Sequence, residues 1–297
     1  MFDVIIVGAG PAGLSAALIL GRCRRHVLLC DTGKPRNAAS HAMHGFITRD
    51  GIQPDEFLRL GREQLRTYES VELRHISVSD ARQLDNTFEV VLEDGTHITA
   101  RKLLLATGVV DELPEIEGIE ELYGRSVHHC PYCDGWEVRD QPLAVFGKGN
   151  SGYELALELT VWSRDLALCT NGEKLEEKQR QRLLRNNIQI CEERIARLEG
   201  KDGILERIVF ADSKVLHRRA LFFFSEEHQH SDLPEKMGCD FTQRGVVRTG
   251  EYEGTCVPGL YVAGDASRRV QLVIVAAAEG AQAAFAINTE LLKEDLA

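Results

Sequence analysis

The chain opens on a nearly unbroken run of β-branched and apolar residues, Phe2 to Val7, which ends in Gly8-Ala9-Gly10-Pro11-Ala12-Gly13. Good helix formers follow from Leu14 to Leu20, so the pattern predicts strand, tight turn and helix. A second apolar run, His26 to Cys30, ends at Asp31. The same order returns about 139 residues later: strand Pro142–Phe146, turn Gly147-Lys148-Gly149-Asn150-Ser151-Gly152, helix Tyr153–Thr160, strand Asp165–Cys169. Between the two lie a helix over about Pro54 to Glu69 and a β-meander, Phe88–Leu92 and His97–Ala100, turned at Glu93-Asp94-Gly95. Lys102–Leu105 then leads into Ala106-Thr107-Gly108. Asp134 to Val138 reads as turn and strand, and Glu173 to Arg185 as a solvated helix face. Leu260–Ala263 predicts a strand ending at Gly264-Asp265, and Gln271 to about Leu292 a long buried helix rich in alanine.

The first glycine turn has the spacing of a dinucleotide-binding βαβ unit. Gly8 permits the turn, Gly10 lets backbone approach a pyrophosphate, and Gly13 lets helix pack on strand. The helix N-terminus, with Pro11 and Ala12 in its first turn, offers unpaired N–H groups and partial positive charge. Asp31 falls 18 residues after Gly13, near the ~20 expected of a ribose-binding acid. The second turn keeps its glycines, but Thr170-Asn171-Gly172 stands where an acid or a basic cluster would select a nucleotide. Two related units imply an α/β fold of two Rossmann-like, three-layer nucleotide-binding domains, one inserted in the other. A crossing at Leu113-Pro114-Glu115 and a return at Arg244-Gly245 set the expected boundaries: 1–113 with 245–297 outside, 114–244 inserted.

Charge narrows the function classes. The 297 residues carry a net charge of −11, which repels phosphate backbones and argues against nucleic acid as partner. No apolar run reaches the ~20 residues of a membrane span. The N-terminal apolar stretch has no basic flank and is broken by glycine and proline, so it reads as mature structure and a cytoplasmic location is expected. Of eight cysteines, Cys23, Cys30, Cys169, Cys191, Cys239 and Cys256 are scattered singly and read as small buried hydrophobes. His41, His44, His228 and His230 lack matching ligand spacing and read as loop histidines, so no metal is expected.

Cys130-Pro131-Tyr132-Cys133 is the sharpest chemical feature. Two thiols two residues apart can close a disulfide, and in a reducing compartment such a pair is redox-active or half a zinc site. Zinc needs four ligands; His128 and His129 are adjacent to each other, and no second such pair exists. Glutaredoxins carry the same tetrapeptide, but at the start of a helix in a small domain, not between two dinucleotide units.

The ordered motifs resemble the low-molecular-weight thioredoxin reductase family over nearly the whole chain. Gly8 to Gly13 matches its FAD pyrophosphate loop, Ala106-Thr107-Gly108 its second flavin-domain signature, and Gly259 to Asp265 the signature whose Asp contacts the ribityl chain. Cys130 to Gly135 matches its redox pair followed by Asp-Gly. The resemblance implies FAD as cofactor, a homodimer, and electron flow from reduced FAD through Cys130–Cys133 to thioredoxin or another disulfide. It places Cys133 beside the flavin, Cys130 against the substrate, Asp134 as proton donor or acceptor, and Asp265, Gln271 and Leu272 at the flavin. His128 and His129 could raise the thiolate fraction, replace Asp134 as base, or be strand-end polar residues. The NADPH-dependent members carry His-Arg-Arg where this chain has Thr170-Asn171-Gly172, and Lys174 and Lys178 lack the planar fork that grips a phosphate, which counts against NADPH. Ferredoxin or another donor is then expected. Two other readings stand beside the reductase: an FAD-dependent oxidase closing disulfides in a small dithiol, with oxygen as acceptor, and a flavin redox sensor without turnover.

Overall fold

The structure, a computed structural model, describes every residue except Arg269. The chain divides into two units. The first holds Met1–Ala38, Gly45–Val110 and Glu227–Ala297; the second holds Ala39–His44 and Asp111–Glu226. The return therefore lies at Glu227, ahead of the expected Arg244-Gly245, which falls inside the first unit. The outward passage, just after Val110, lies close to the expected Leu113.

The first unit begins with β1 (Phe2–Val7), α1 (Pro11–Arg22), β2 (Val27–Cys30), α2 (Pro54–Leu65) and β3 (Val71–Arg74). Antiparallel β4 (Val78–Leu84), β5 (Thr87–Leu92) and β6 (His97–Leu105) follow. The sheet order is β3-β2-β1-β6-β5-β4. β1 lies parallel between β2 and β6, with Ile5 opposite Leu28 and Leu103, and is covered on both faces. This explains its unbroken apolar sequence. The meander's last strand and the run into Ala106 are one long strand, β6: its first half pairs with β5 and its second half with β1. α2 ends at Leu65, a turn sooner than its pattern suggested.

The passages between units are β7 (Val109–Glu112) and, on the return, a strand at Glu226–Gln229 paired with it. Within the second unit come β8 (Val127–His128), the short α3 (Pro131–Asp134), β9 (Leu143–Phe146), α4 (Gly149–Glu158), β10 (Leu166–Cys169), α5 (Glu177–Arg185) and β11 (Gln189–Cys191). Antiparallel β12 (Ile195–Lys201), β13 (Ile204–Phe210) and β14 (Val215–His217) precede β15 (Ala220–Phe223). The parallel sheet runs β11-β10-β9-β15-β8, with one apolar cluster on each face. The segment after the redox pair is not a strand. Pro131 opens a helix that ends at Asp134, and Gly135 lies so close to Trp162 that a Cβ there would fall 2.8 Å from the indole.

Back in the first unit, α6 (Leu233–Lys236) is followed by β16 (Leu260–Val262), which adds to β6 with Leu260 opposite Leu103. The last helix, α7 (Val273–Asp295), begins after Gln271 and Leu272, later than expected. It crosses α1 closely enough that a Cβ on Gly280 would lie 1.9 Å from the Ala12 carbonyl oxygen. Among the described residues no helix is long and apolar enough to cross a membrane.

Candidate active site

Cys130 and Cys133 are joined, with sulfurs 2.06 Å and Cα atoms 5.3 Å apart. Cys130 is the extended residue that caps α3, Pro131 supplies the preset first helical φ, and the Cys133 N–H donates to Cys130 Sγ at 3.1 Å. That donor is placed to steady negative charge on Cys130 once the bond opens. Both cysteines are half-buried, flanked by Tyr132 at 69% exposure and Trp136 at 64%. Tyr132 meets Trp162 edge-on, and the Arg139 guanidinium lies 4.0 Å over the Trp136 ring.

Asp134 ends α3 in a mostly buried position. Burial, with the charge of Glu137 added, raises its carboxyl pKa to about 7; His44 works the other way. A carboxyl poised there can give and take a proton at neutral pH. His128 Nδ1 lies 3.5 Å from Asp134 Oδ1, but His128 is only 6% exposed and stacks on Phe222. Burial pushes its pKa down to about 4, so it is a neutral ring rather than a cation for the sulfurs. His129 Nδ1 pairs with the Tyr123 hydroxyl at 3.0 Å, and its Nε2 lies 3.9 Å from Asp111 Oδ2. His44, from the Ala39–His44 segment, reaches Glu137 at 3.5 Å.

In the first unit, Gly8 and Gly13 are locked by backbone. A Cβ on Gly13 would sit 1.8 Å from the Gly8 oxygen, and one on Gly8, at φ +102°, would sit 2.3 Å from the Ala106 oxygen. Gly10 faces open space. It caps α1, whose first turn receives no side-chain cap and has no acid. Asp31 accepts from the Ala9 and Gly33 N–H groups, both at 3.1 Å, and from Arg62 at 3.0 Å. The buried Thr107 hydroxyl has no hydrogen-bond partner among the described residues. Gly264, at φ +82°, donates its N–H to Glu279, and Asp265 receives Arg36 Nη1 at 2.9 Å. The same nitrogen reaches Gln271 Oε1 at 2.6 Å. Asp265 does not cap α7; Leu272 occupies that place and supplies no side-chain cap.

The second glycine turn repeats the backbone lock, since a Cβ on Gly152 would fall 2.4 Å from Gly147. What surrounds it differs. Thr170 is buried and donates to the Glu173 carbonyl, Asn171 accepts the Ile195 N–H, and Gly172 takes φ +95°. The Glu173 carboxylate lies 3.2 Å from where a Cβ on Gly149 would stand.

Residues 2–280 match the family model described as pyridine nucleotide-disulphide oxidoreductase. The chain belongs to this family. A protein of Arthroderma benhamiae described as a probable thioredoxin reductase is 32% identical across 99% of this chain and 81% of its own. Among solved structures, a Bacillus anthracis protein assigned as a thioredoxin reductase superposes with TM-score 0.94 and 35% identity, covering 99% of this chain and 100% of its own. The protein called HlmI does so at 0.95 and 36%, covering 99% and 94%. The chain is thus a flavin-dependent disulfide oxidoreductase of the thioredoxin reductase kind, with two Rossmann-like domains.

The family implies FAD, and the first unit suits it. The uncapped α1 N-terminus, the room above Gly10 and the orphan Thr107 hydroxyl are donors and space awaiting a phosphate-bearing ligand. Every glycine expected to hold the cofactor of this oxidoreductase lies in that unit, with Asp31, Ala106, Asp265 and Gln271. Several partners had no sequence signal: Arg36 on Asp265, Arg62 on Asp31, His44 on Glu137, and Tyr123 with Asp111 around His129. All but Tyr123, six residues from His129, are far along the chain from the residue they serve. Of the six cysteines read as scattered, buried hydrophobes, Cys30, Cys169 and Cys239 are buried, Cys23 and Cys256 are exposed, and Cys169 and Cys191 are register partners on neighbouring strands.

Proposed function

We propose that this oxidoreductase reduces a thioredoxin-type disulfide through Cys130 and Cys133, with a donor other than NADPH. The observation that carries the reading is the joined, half-buried cysteine pair beside a carboxyl whose pKa stands at about 7. FAD, when bound, supplies the two-electron store for this exchange. Gly8, Gly10, Pro11, Ala12 and Gly13 would hold its pyrophosphate, Asp31 its ribose, Ala106, Thr107 and Gly108 the adjoining wall, and Gly264, Asp265, Gln271 and Leu272 the ribityl and ring end.

With the pair reduced, Cys130 Sγ attacks one sulfur of the substrate disulfide. The departing thiolate takes the Asp134 proton, which Asp134 regains from Cys133 as that sulfur displaces the second half; this second thiolate takes up from water the proton that Cys130 released to water on attacking. Two protein thiols become a disulfide, one substrate disulfide becomes two thiols, and two electrons have moved. His129, held by Tyr123, is placed as an auxiliary base, whereas neutral His128 packs behind Asp134 and orients it. A homodimer in the cytoplasm completes the reading.

The donor assignment is supported by the second glycine turn, where Thr170 and Asn171 spend their side chains on the fold and Glu173 sets a carboxylate against the place of a phosphate. The same feature favours a second reading, in which electrons enter from a small dithiol and leave to oxygen. An anaerobic half-reaction panel separates the cases. FAD-loaded protein is mixed with NADPH, NADH, reduced ferredoxin or reduced thioredoxin, and flavin absorbance is followed. Fast bleaching by NADPH would overturn the donor assignment. Bleaching by dithiols alone, with rapid recovery in air, would favour the oxidase.

A further inference from the structure

β10 and β11 are neighbouring parallel strands, and their register sets Cys169 directly opposite Cys191. Register partners on adjacent strands lie about 4.8 Å apart, within the ~4.4–6.8 Å between Cα atoms that a disulfide spans. Both side chains point to the same face, since Cys191 packs on the apolar cluster that contains Cys169. Each thiol is among the groups that shift the other's pKa. Cys169 is fully buried and Cys191 half-buried, so one sulfur is reachable and the other waits behind it.

The surroundings favour charge on the outer sulfur. Gln189 Nε2 donates to Cys191 Sγ at 3.5 Å, and Arg218 Nη2 holds Gln189 Oε1 at 3.1 Å. Arg218 itself is largely buried, and its Nε is a buried donor with no hydrogen-bond partner among the described residues. The neighbouring Cys169 thiol, and after it the positive charge of Arg218, lower the Cys191 pKa, while the Cys191 thiol and burial raise that of Cys169. An attacking thiolate outside and a resolving thiol inside is the arrangement a dithiol needs to pass through a mixed disulfide.

We propose that Cys169 and Cys191 are a second redox-active dithiol, closed to a disulfide by low-molecular-weight disulfides that enter at Cys191. Cys191 Sγ, as thiolate, attacks one sulfur of the small disulfide and displaces the first thiolate. Cys169 Sγ then displaces the second, its proton passing to the departing sulfur. One protein disulfide forms, the small disulfide becomes two thiols, and two electrons leave the protein. The new bond would tie the carboxyl ends of β10 and β11 together immediately before the Thr170 turn. It uses neither Cys130 nor Cys133.

The test uses reduced, FAD-loaded full-length protein, freed of reductant and exposed anaerobically to oxidised glutathione. The reaction is quenched in acid, alkylated in denaturant and mapped as peptides. The expected product is a peptide pair linked Cys169–Cys191 and separated by added reductant. Cys169→Ser should instead accumulate glutathione on Cys191, about tenfold above wild type or more. The inference is overturned if wild-type Cys169 and Cys191 both carry the alkyl label while Cys130–Cys133 in the same digest has closed. It is overturned equally if glutathione stays on wild-type Cys191 without transfer to Cys169. Because Cys130–Cys133 is read in the same map, failure at one pair is distinguishable from failure at the other.

Discussion

At Gly8–Gly13 the turn opens onto free space above Gly10, and the acid beyond the second strand, Asp31, accepts from two N–H groups and Arg62. At Gly147–Gly152 the backbone is just as crowded, yet the residues beyond the second strand turn inward and Glu173 stands against Gly149. The difference separates two things that one motif is often taken to mean. Gly13 and Gly152 are required because helix and strand backbones nearly touch, whatever is bound. On the proposed reading the ligand anchor is a separate set of residues, held at the first turn and lacking at the second. A glycine pattern therefore reports packing first and binding second.

The largest expected effect tests whether the chemistry lies with the sulfurs of the second unit while the flavin lies with the first. Cys130→Ser should lower disulfide turnover by about 10³-fold or more and leave flavin content unchanged. Retained turnover would break the assignment.

Next come matched steric insults at the two turns. Gly13→Ala should yield protein with little or no flavin absorbance, because the carbonyl at 1.8 Å forces the strand–helix joint apart. Gly152→Ala, with its own clash at 2.4 Å, should destabilise the second unit and leave flavin bound. Equal flavin loss in both would erase the distinction between the turns.

Asp134→Asn sharpens the contrast through pH. Wild-type Asp134 holds its proton below about pH 7, so the variant should lose about 10²-fold in substrate reduction at pH 6, with the two rates converging above pH 8. The same shift has a stability sign. The folded state keeps a proton that the unfolded chain releases near pH 4, so wild-type stability falls as pH rises from 4 to 7 and then levels. Asp134→Asn removes this loss, and denaturant midpoints at pH 8 should rise by up to about 4 kcal/mol in unfolding free energy. A pH-independent difference between the two proteins would sink the role given to Asp134.

The smallest effect belongs to the exposed carboxylate at the second turn. Glu173→Gln should tighten NADPH binding by less than about tenfold, since a solvated charge is well screened and no guanidinium is added. Titration by nucleotide fluorescence quenching reads it, and tight NADPH binding by the wild type would overturn the comparison altogether.

The glycine turns, Asp31 and the redox pair with Asp134 were legible because each is a short run whose backbone or bond chemistry is local. Asp134 to Val138 reads from sequence as turn and strand, but Asp134 closes a short helix and the residues after it are turn, with Gly135 fitted closely against Trp162. The return to the first unit was placed too late because the strand that carries it, Glu226–Gln229, is polar and alternates weakly. The isolated reading of Cys169 and Cys191 failed for a different reason: strand register is a long-range choice that neither residue announces.

Sequence alone determined the two βαβ units, the glycine joints and the dithiol, since these depend on the residues within a few positions of one another. Tertiary structure alone decided that His128 is neutral, that Asp134 titrates near neutrality, that Arg36 meets Asp265 and Arg62 meets Asp31, and that two distant cysteines share a face. Burial, charge environment and register are sums over neighbours brought together from remote parts of the chain, and no local pattern contains them.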